Sequence, residues 1–272
     1  MFSFPSAFRP LHLAGVSRLA MAAALAAALG ACAQQPRQEV TGSIGQAPAQ
    51  MSDAEWRKQA DSLAARYRAE PNNTNAAIAY ARALRANGQS AQAAAVLQQA
   101  SIRNPKDKAV LGAYGRSLAD AGRFAEALDI LGKAHTPDQP DWRILNAQGA
   151  VLDQMGKHAE AQRYYQTALN MAPNDPGILS NLGLSYALSK NLKRAEETLR
   201  RAVADPRADP KVRQNLGVVL ALRSNFDEAE RVTSGVLPPD QARANIAYMR
   251  EMMSEQPARA KSKSVRKTAS AS

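Results

Sequence analysis

The sequence has few aromatic residues and almost no cysteine. Of its 272 residues, 5% are aromatic and 45% are hydrophobic, so alanine and leucine must form most of the core. A core of this kind is typical of helices that pack at close range. Cys32 is the single cysteine, which excludes a disulfide framework within the chain.

Combinations of residues that carry out catalysis are also missing. The chain has no Gly-rich phosphate loop, no nucleophile elbow and no pair of carboxylates set between apolar residues. The three histidines, His12, His135 and His158, have no Cys, Asp or Glu partner at metal-ligand spacing. We therefore predict that the protein is not an enzyme and has no metal, no cofactor and no small-molecule substrate.

The positive charge of the chain is not concentrated in one stripe. Of the net charge of +11, residues 1–32 contribute +2 and residues 254–272 contribute +4, so +5 is spread over the rest. Nucleic-acid binding usually needs a dense basic patch with interleaved aromatic residues. No such patch is present, and the sequence predicts no nucleic-acid partner.

A period of 34 residues runs through most of the chain. Residues 142–175 read as two amphipathic helices that join at Gly156 and end at Pro173, and the same pattern returns in both directions. Repeats that start at 74, 108, 142, 176 and 210 need no insertion. Small residues recur at positions 8 and 20, where two helices cross: Ala81, Gly115, Gly149, Gly183 and Gly217, and Ala93, Ala127, Ala161, Ala195 and Ala229.

This register resembles the tetratricopeptide repeat (TPR). The resemblance predicts an all-α fold, a TPR superhelical solenoid with N- and C-terminal capping helices. The capping helices are predicted at 52–73 and 240–253, and residues 254–272 are predicted to be a disordered, solvated basic tail. The five repeats are predicted at 74–107, 108–141, 142–175, 176–209 and 210–243.

The turn inside each repeat is predicted to need a left-handed backbone. Gly88, Gly122 and Gly156 all stand at position 15 of their repeats, where a tight turn favours glycine. In the last two repeats Asn191 and Asn225 follow one place later. Since asparagine tolerates the same backbone, we expect these two residues to take the role of the glycine.

The N-terminus is typical of an exported lipoprotein. Residues 1–31 combine two arginines with an apolar run too short to span a bilayer, and they read as a signal peptide that ends in a lipobox. Cys32 is then the lipidation site, and residues 32–51 form a flexible tether. Ordinary signal cleavage around Ala31 and Ala33 is the alternative. Resemblance to proteobacterial lipoproteins implies that Ala33 sorts the protein to the outer membrane, facing the periplasm.

The TPR resemblance also implies a concave groove, lined by the first helix of each repeat. In this register the early groove carries Arg82, Arg85 and Arg116, and the middle carries Arg143, Asn146 and Asp153. The late groove carries Asn181, Leu184, Leu188, Lys211, Asn215, Val218 and Leu222.

The late groove has two interpretations. Asn181 and Asn215 stand where TPR peptide binders use an amide to bind the ligand backbone, which favours a protein-binding site. A carboxylate clamp would need several cations around such an asparagine, and only Lys211 fits. Alternatively, the closing helix covers the leucines and the asparagines cap local turns.

A narrower resemblance comes from the end of the repeats. The segment LPPDQARANIAYMREM (237–252), the phrase NLGVVLALRSNFDEAE (215–230) and the lipobox are similar to the TadD-like lipoproteins of the Flp/tight-adherence (Tad) pilus system. This resemblance implies a non-catalytic protein–protein interaction scaffold that assists assembly of a Flp/Tad-type pilus secretion machine, its secretin or other components. Its partners would be proteins of that machine, and the lipid anchor would hold it to the membrane.

Two other functions compete with the pilus role. One is a TPR lipoprotein scaffold for peptidoglycan or outer-membrane biogenesis. The other is an enzyme or its regulatory arm, which would need a catalytic domain outside the repeats, and the sequence has no segment of that kind.

The anchor generates the first prediction. A lipidated Cys32 should bring the mature protein into the outer-membrane fraction, because two or more acyl chains turn marginal binding into stable attachment. Cys32→Ser should release the protein or leave it unprocessed, as measured by membrane fractionation and acyl labelling. A Cys32→Ser protein that is processed normally and still sediments with outer membranes would contradict the prediction.

Overall fold

The structure is a computed structural model that describes the backbone of residues 53–269 and the side-chain surroundings of residues 58–255. Within this range the chain forms twelve helices and no β-strand. The predicted signal peptide (1–31), Cys32 and the tether (32–51) lie outside the described residues. The helices are α1 (Asp53–Ala69), α2 (Thr74–Ala86), α3 (Ser90–Arg103), α4 (Lys108–Asp120), α5 (Phe124–Lys133), α6 (Trp142–Gln154), α7 (His158–Met171), α8 (Pro176–Leu188), α9 (Leu192–Val203), α10 (Pro210–Leu222), α11 (Phe226–Ser234) and α12 (Pro239–Ala269).

Five helix pairs, from α2–α3 to α10–α11, repeat at a constant spacing. Their first helices begin at the five positions where the sequence places the repeat starts, and their second helices begin 16 residues later in every repeat. The all-α TPR solenoid is therefore confirmed.

Each first helix begins after a residue that caps it. Asn73, Asp107, Asp141, Asp175 and Asp209 are the last residues of successive 34-residue units, and their side chains accept hydrogen bonds from amides of the next helix. A side-chain oxygen at this place satisfies an amide that has no partner inside the helix. Pro176 and Pro210 follow the cap in the last two repeats, where proline costs no hydrogen bond.

The turn inside each repeat corrects one of our predictions. Gly88, Gly122 and Gly156 have φ angles of 74°, 77° and 76°, as expected for a left-handed turn. In the last two repeats, however, Lys190 and Ser224 adopt this backbone, with φ of 66° and 64°.

Asn191 and Asn225 have φ of −88° and −89° and instead stand at the start of the second helices. The Asn191 side chain accepts a hydrogen bond from the Arg194 amide. The helix pair therefore requires a left-handed backbone at position 15. For a residue other than glycine this conformation costs about 1–2 kcal/mol of folding free energy.

The two helices of a repeat cross where one of them has no side chain. A methyl group added at Gly149 would lie 2.6 Å from the Tyr165 ring, and one added at Gly183 would lie 2.6 Å from the Leu199 side chain. Ala161, at position 20, is fully buried. The buried residues continue from each repeat into the next, so the core follows the whole array.

Helices at both ends cover the array. Helix α1 packs on α2, and α12 packs on α10 and α11. In α12 the buried residues among those described are Ala242 and Ile246, which stand one helical turn apart and so share one face. No helix in residues 53–269 combines the length and the hydropathy that a membrane span requires.

The last helix is longer than the sequence indicates. It continues to Ala269, whereas we predicted that it ends at 253 and that residues 254–272 are disordered. The apolar face ends at Met253, but alanine, lysine, arginine and glutamine themselves favour the helical backbone.

The close approach at Gly149 gives a stability prediction. Gly149→Ala should destabilise the protein by about 1–2 kcal/mol, because crowding against Tyr165 outweighs the gain of about 1 kcal/mol in helix propensity. Gly132→Ala is the matched control, since Gly132 is also helical and a methyl group there would meet no atom within 4 Å. Urea unfolding followed by circular dichroism measures both. Equal effects of the two changes would contradict the close-packing explanation.

Candidate functional site

The first helices of the repeats form one continuous layer. Each of them contacts the first helix of the next repeat, from α2 through α4, α6 and α8 to α10. All predicted groove residues lie on this layer. Arg82 and Arg85 are on α2, Arg116 is on α4, and the late residues are on α8 and α10.

A cavity of about 540 Å³ opens in the early and middle part of this layer. It brings together five of the predicted groove residues: Arg85, Arg116, Arg143, Asn146 and Asn181. Asp120, Phe124 and Gln154 line it as well. The structure does not place Lys211, Asn215 or the late apolar residues around this cavity.

The arginines of the cavity differ in their partners. Arg85 donates from Nε to Oδ2 of Asp120 at 2.5 Å. The Arg143 guanidinium lies 4.4 Å from the centre of the Trp142 ring and 4.0 Å from a carboxylate oxygen of Asp141. Arg116 is half-buried and, among the described residues, makes no hydrogen bond or ion pair through its side chain.

Burial and the neighbouring Arg85 charge lower the pKa of Arg116, and the charge of Arg82 acts in the same direction. Asp141 and Asp120 act in the opposite direction. An arginine remains charged at neutral pH despite such shifts. The cavity therefore contains a guanidinium whose charge has no direct partner.

Bonds between repeats already occupy the two predicted amides. Nδ2 of Asn181 donates to Oδ1 of Asn146 at 3.0 Å, and Nδ2 of Asn215 donates to Oγ of Ser180 at 3.0 Å. Each bond joins the first helices of consecutive repeats. A primary amide has a second N–H and a carbonyl oxygen, so each side chain keeps capacity for another partner.

The late groove is partly covered. Leu184, Val218 and Leu222 are half-buried, whereas 40% of Leu188 is exposed. Lys211 is exposed, and so is Arg82 at the other end of the layer. Leu188 is thus the most accessible apolar residue of the predicted set.

Asp153, which the sequence places in the groove, is instead the centre of a polar network. Its Oδ1 accepts from Ser185 Oγ at 2.8 Å and lies 2.8 Å from His158 Nδ1, and its Oδ2 accepts from Tyr165 Oη at 3.0 Å. Only 9% of its side chain is exposed. Burial, followed by the Asp153 charge, raises the pKa of the Tyr165 hydroxyl. The network joins both helices of the third repeat to the fourth repeat.

Sequence reasoning missed this network and the role of Asp120. The network residues stand 5, 12 and 32 positions after Asp153, and only the helix crossing brings them together. No group of three or more His, Cys, Asp and Glu side chains in the described region is arranged to hold a metal ion.

Comparisons with known proteins support the repeat assignment. The model described as "Tetratricopeptide repeat" matches residues 154–214. A second model, described as "Anaphase-promoting complex, cyclosome, subunit 3", matches residues 58–134. No curated protein matched the chain significantly.

Solved structures with a similar fold have low sequence identity. One chain of the APC/C hetero-tetramer Cut9–Hcn1 is 16% identical, with a TM-score of 0.60 over 73% of this chain and 39% of that chain. The present chain therefore spans well under half of that relative. Pseudomonas aeruginosa PilF is 18% identical, with a TM-score of 0.51 over 65% of this chain and 82% of that chain. These likenesses show the fold.

The Asp153 network generates a further prediction. Asp153→Ala should destabilise the protein by about 3 kcal/mol, because the buried hydroxyls of Tyr165 and Ser185 lose their acceptor. Asp129→Ala is the control, since Asp129 pairs with Lys133 on an exposed helix surface and should change stability by about 0.5 kcal/mol or less. Urea unfolding measures both variants, and similar small effects would show that the network is not stabilising.

Proposed function

We propose that this chain, whose tetratricopeptide repeat fold typically serves as a non-catalytic protein-interaction scaffold, assists assembly of a Flp/Tad-type pilus secretion machine. Its place would be the periplasmic face of the outer membrane, held there by a lipid on Cys32. The observation that carries the scaffold role is the layer of first helices, which presents an open cavity, an unpaired guanidinium and an accessible leucine.

The pilus role is supported by the sequence of the closing segment. Residues 237–252 resemble the TadD-like lipoproteins, and in the structure they include the start of α12, which closes the repeat array. The likeness to Pseudomonas aeruginosa PilF concerns the fold alone. A scaffold for peptidoglycan or outer-membrane biogenesis is the competing function.

We assign binding of an apolar partner segment to repeats four and five. Leu188 would be its first contact because it is exposed, and Leu184, Val218 and Leu222 are half-buried beside it in the predicted register. The free amide groups of Asn181 and Asn215 would bond the partner backbone, and exposed Lys211 would lie near its edge. The bonds to Asn146 and Ser180 would hold both amides in a fixed orientation.

A single surface substitution tests this function. Leu188→Glu should reduce co-purification of the secretin from detergent-solubilised membranes at least about tenfold, since a charge would have to be buried against an apolar segment. Ile102→Glu is the matched control, because Ile102 is 66% exposed on a second helix, away from the groove layer. Thermal unfolding should show that both variants fold.

Surface pili and peptidoglycan composition should be measured in the same strains. The proposal expects loss of pili with Leu188→Glu and normal pili with Ile102→Glu. Normal pili together with altered peptidoglycan in a strain that lacks the protein would overturn the pilus role in favour of the competing scaffold function.

A further inference from the structure

The half-buried Arg116 is the feature of the groove that the apolar-segment hypothesis does not use. Arg85 has Asp120, and Arg143 has Trp142 and Asp141, but Arg116 has no side-chain partner among the described residues. A half-buried guanidinium normally finds carboxylate or carbonyl acceptors. An unpaired one at the wall of an open cavity is therefore positioned to receive an acceptor from outside the chain.

The Arg116 side chain lies back along its own helix. Gly112 stands one helical turn before Arg116, and a methyl group placed there would lie 3.6 Å from Nη1 and 3.9 Å from Nη2 of the guanidinium, which are ordinary contact distances. The same methyl group would lie 2.6 Å from Cδ1 of Ile144, so it is packing against the next repeat that requires the glycine. The guanidinium therefore lies beside Gly112, at the place where α4 packs against Ile144 of α6.

The charge around the cavity is positive. Arg82, Arg85 and Asp120 act electrostatically on Arg116, as does Asp141, and Arg143 lies on the same wall. Four arginines face two aspartates, which leaves an excess of positive charge. The Asp120 carboxylate is bound to Arg85, which shows how a carboxylate from another molecule would bind an arginine of this cavity. Asp120 would also compete with that external carboxylate.

We propose that this cavity binds an acidic side chain, glutamate or aspartate, of an extended protein segment, with Arg116 as the main anion-binding residue. This inference rests on the proposed function, because it assumes that the groove binds a protein partner. It adds that the bound segment of the partner is acidic. Arg116 forms the charge-assisted hydrogen bonds to the carboxylate, and the Asn146–Asn181 amide pair lies on the same wall to bond the backbone. A volume of about 540 Å³ holds a short segment rather than a folded domain.

The surroundings favour a peptide over a nucleic acid. The basic groups are gathered at one cavity, while a nucleic-acid site needs cations that follow a phosphate backbone and aromatic rings on which bases stack. The cavity wall carries one aromatic residue, Phe124, and the carboxylate of Asp120 would repel a phosphate backbone. A peptide with spaced acidic residues places fewer negative charges near Asp120 than a phosphate backbone does.

Calorimetric titration of the purified mature protein tests the proposal. The probe is a blocked peptide of about nine residues in which alanine and glutamate alternate, and its glutamine analogue is the comparison. We expect the analogue to bind at least about tenfold more weakly, with Arg116→Gln causing a similar loss. Arg163→Gln removes the same charge from an exposed position on α7, outside the groove layer, and should change affinity by less than about twofold.

A second variant acts in the opposite direction. Asp120→Asn removes the competing carboxylate and should increase affinity for the glutamate peptide about threefold or more. Asp120 is exposed near the C-terminal end of α4, where loss of a negative charge does not weaken the helix. This gain of binding keeps the test decisive even if Arg116→Gln perturbs folding, because a cavity that binds no carboxylate predicts no gain.

Three results would overturn the proposal. They are no binding of the glutamate peptide at millimolar concentration, equal affinity for the glutamine analogue, and equal losses with Arg116→Gln and Arg163→Gln. Tighter binding of oligothymidylate that depends on Arg116 would replace the peptide with a nucleic acid. None of these outcomes depends on the Leu188→Glu experiment, so failure of the pilus role and failure of the acidic-segment site can be told apart.

Discussion

The structure depends on two helices that cross where one of them has no side chain. At Gly149 the Tyr165 ring fills the space that a methyl group would take, and Gly115 and Gly183 receive leucines in the same way. A crossing this close fixes the angle and the length of the helix pair. It therefore also requires a left-handed backbone at position 15. Lys190 and Ser224 adopt this conformation although it is unfavourable for a residue with a side chain.

The middle of the array adds a polar constraint to this packing. Tyr165 fills the space at Gly149 and also donates to Asp153, so the ring cannot easily move away from the crossing. Gln148, a polar residue at a usually apolar position, is buried and lies 3.2 Å from Nε2 of His135 in the preceding loop. Buried polar groups with defined partners specify one arrangement more strongly than apolar contacts do.

The groove has a different character at its two ends for the same structural reason. The first helices are held side by side, so the groove residues of successive repeats lie next to each other along the layer. In repeats one to three they include arginines around a cavity, and in repeats four and five they include leucine, valine and two bonded amides. An acidic segment of one extended partner would therefore bind at repeats one to three, and an apolar segment of the same partner would bind beside it at repeats four and five.

The sequence by itself determined the helix pairs, their 34-residue register and the crossing residues. These properties are local or periodic, so residue spacing records them. Only the tertiary structure decided that Asp153 is buried in a network and that Asn181 and Asn215 are bonded between repeats. It also decided that Arg85 is paired with Asp120, whereas the Arg116 side chain makes no hydrogen bond or ion pair with the described residues. Those facts depend on contacts between different helices, many of them in different repeats. The residue spacing within one helix does not record the distance to a residue on another helix.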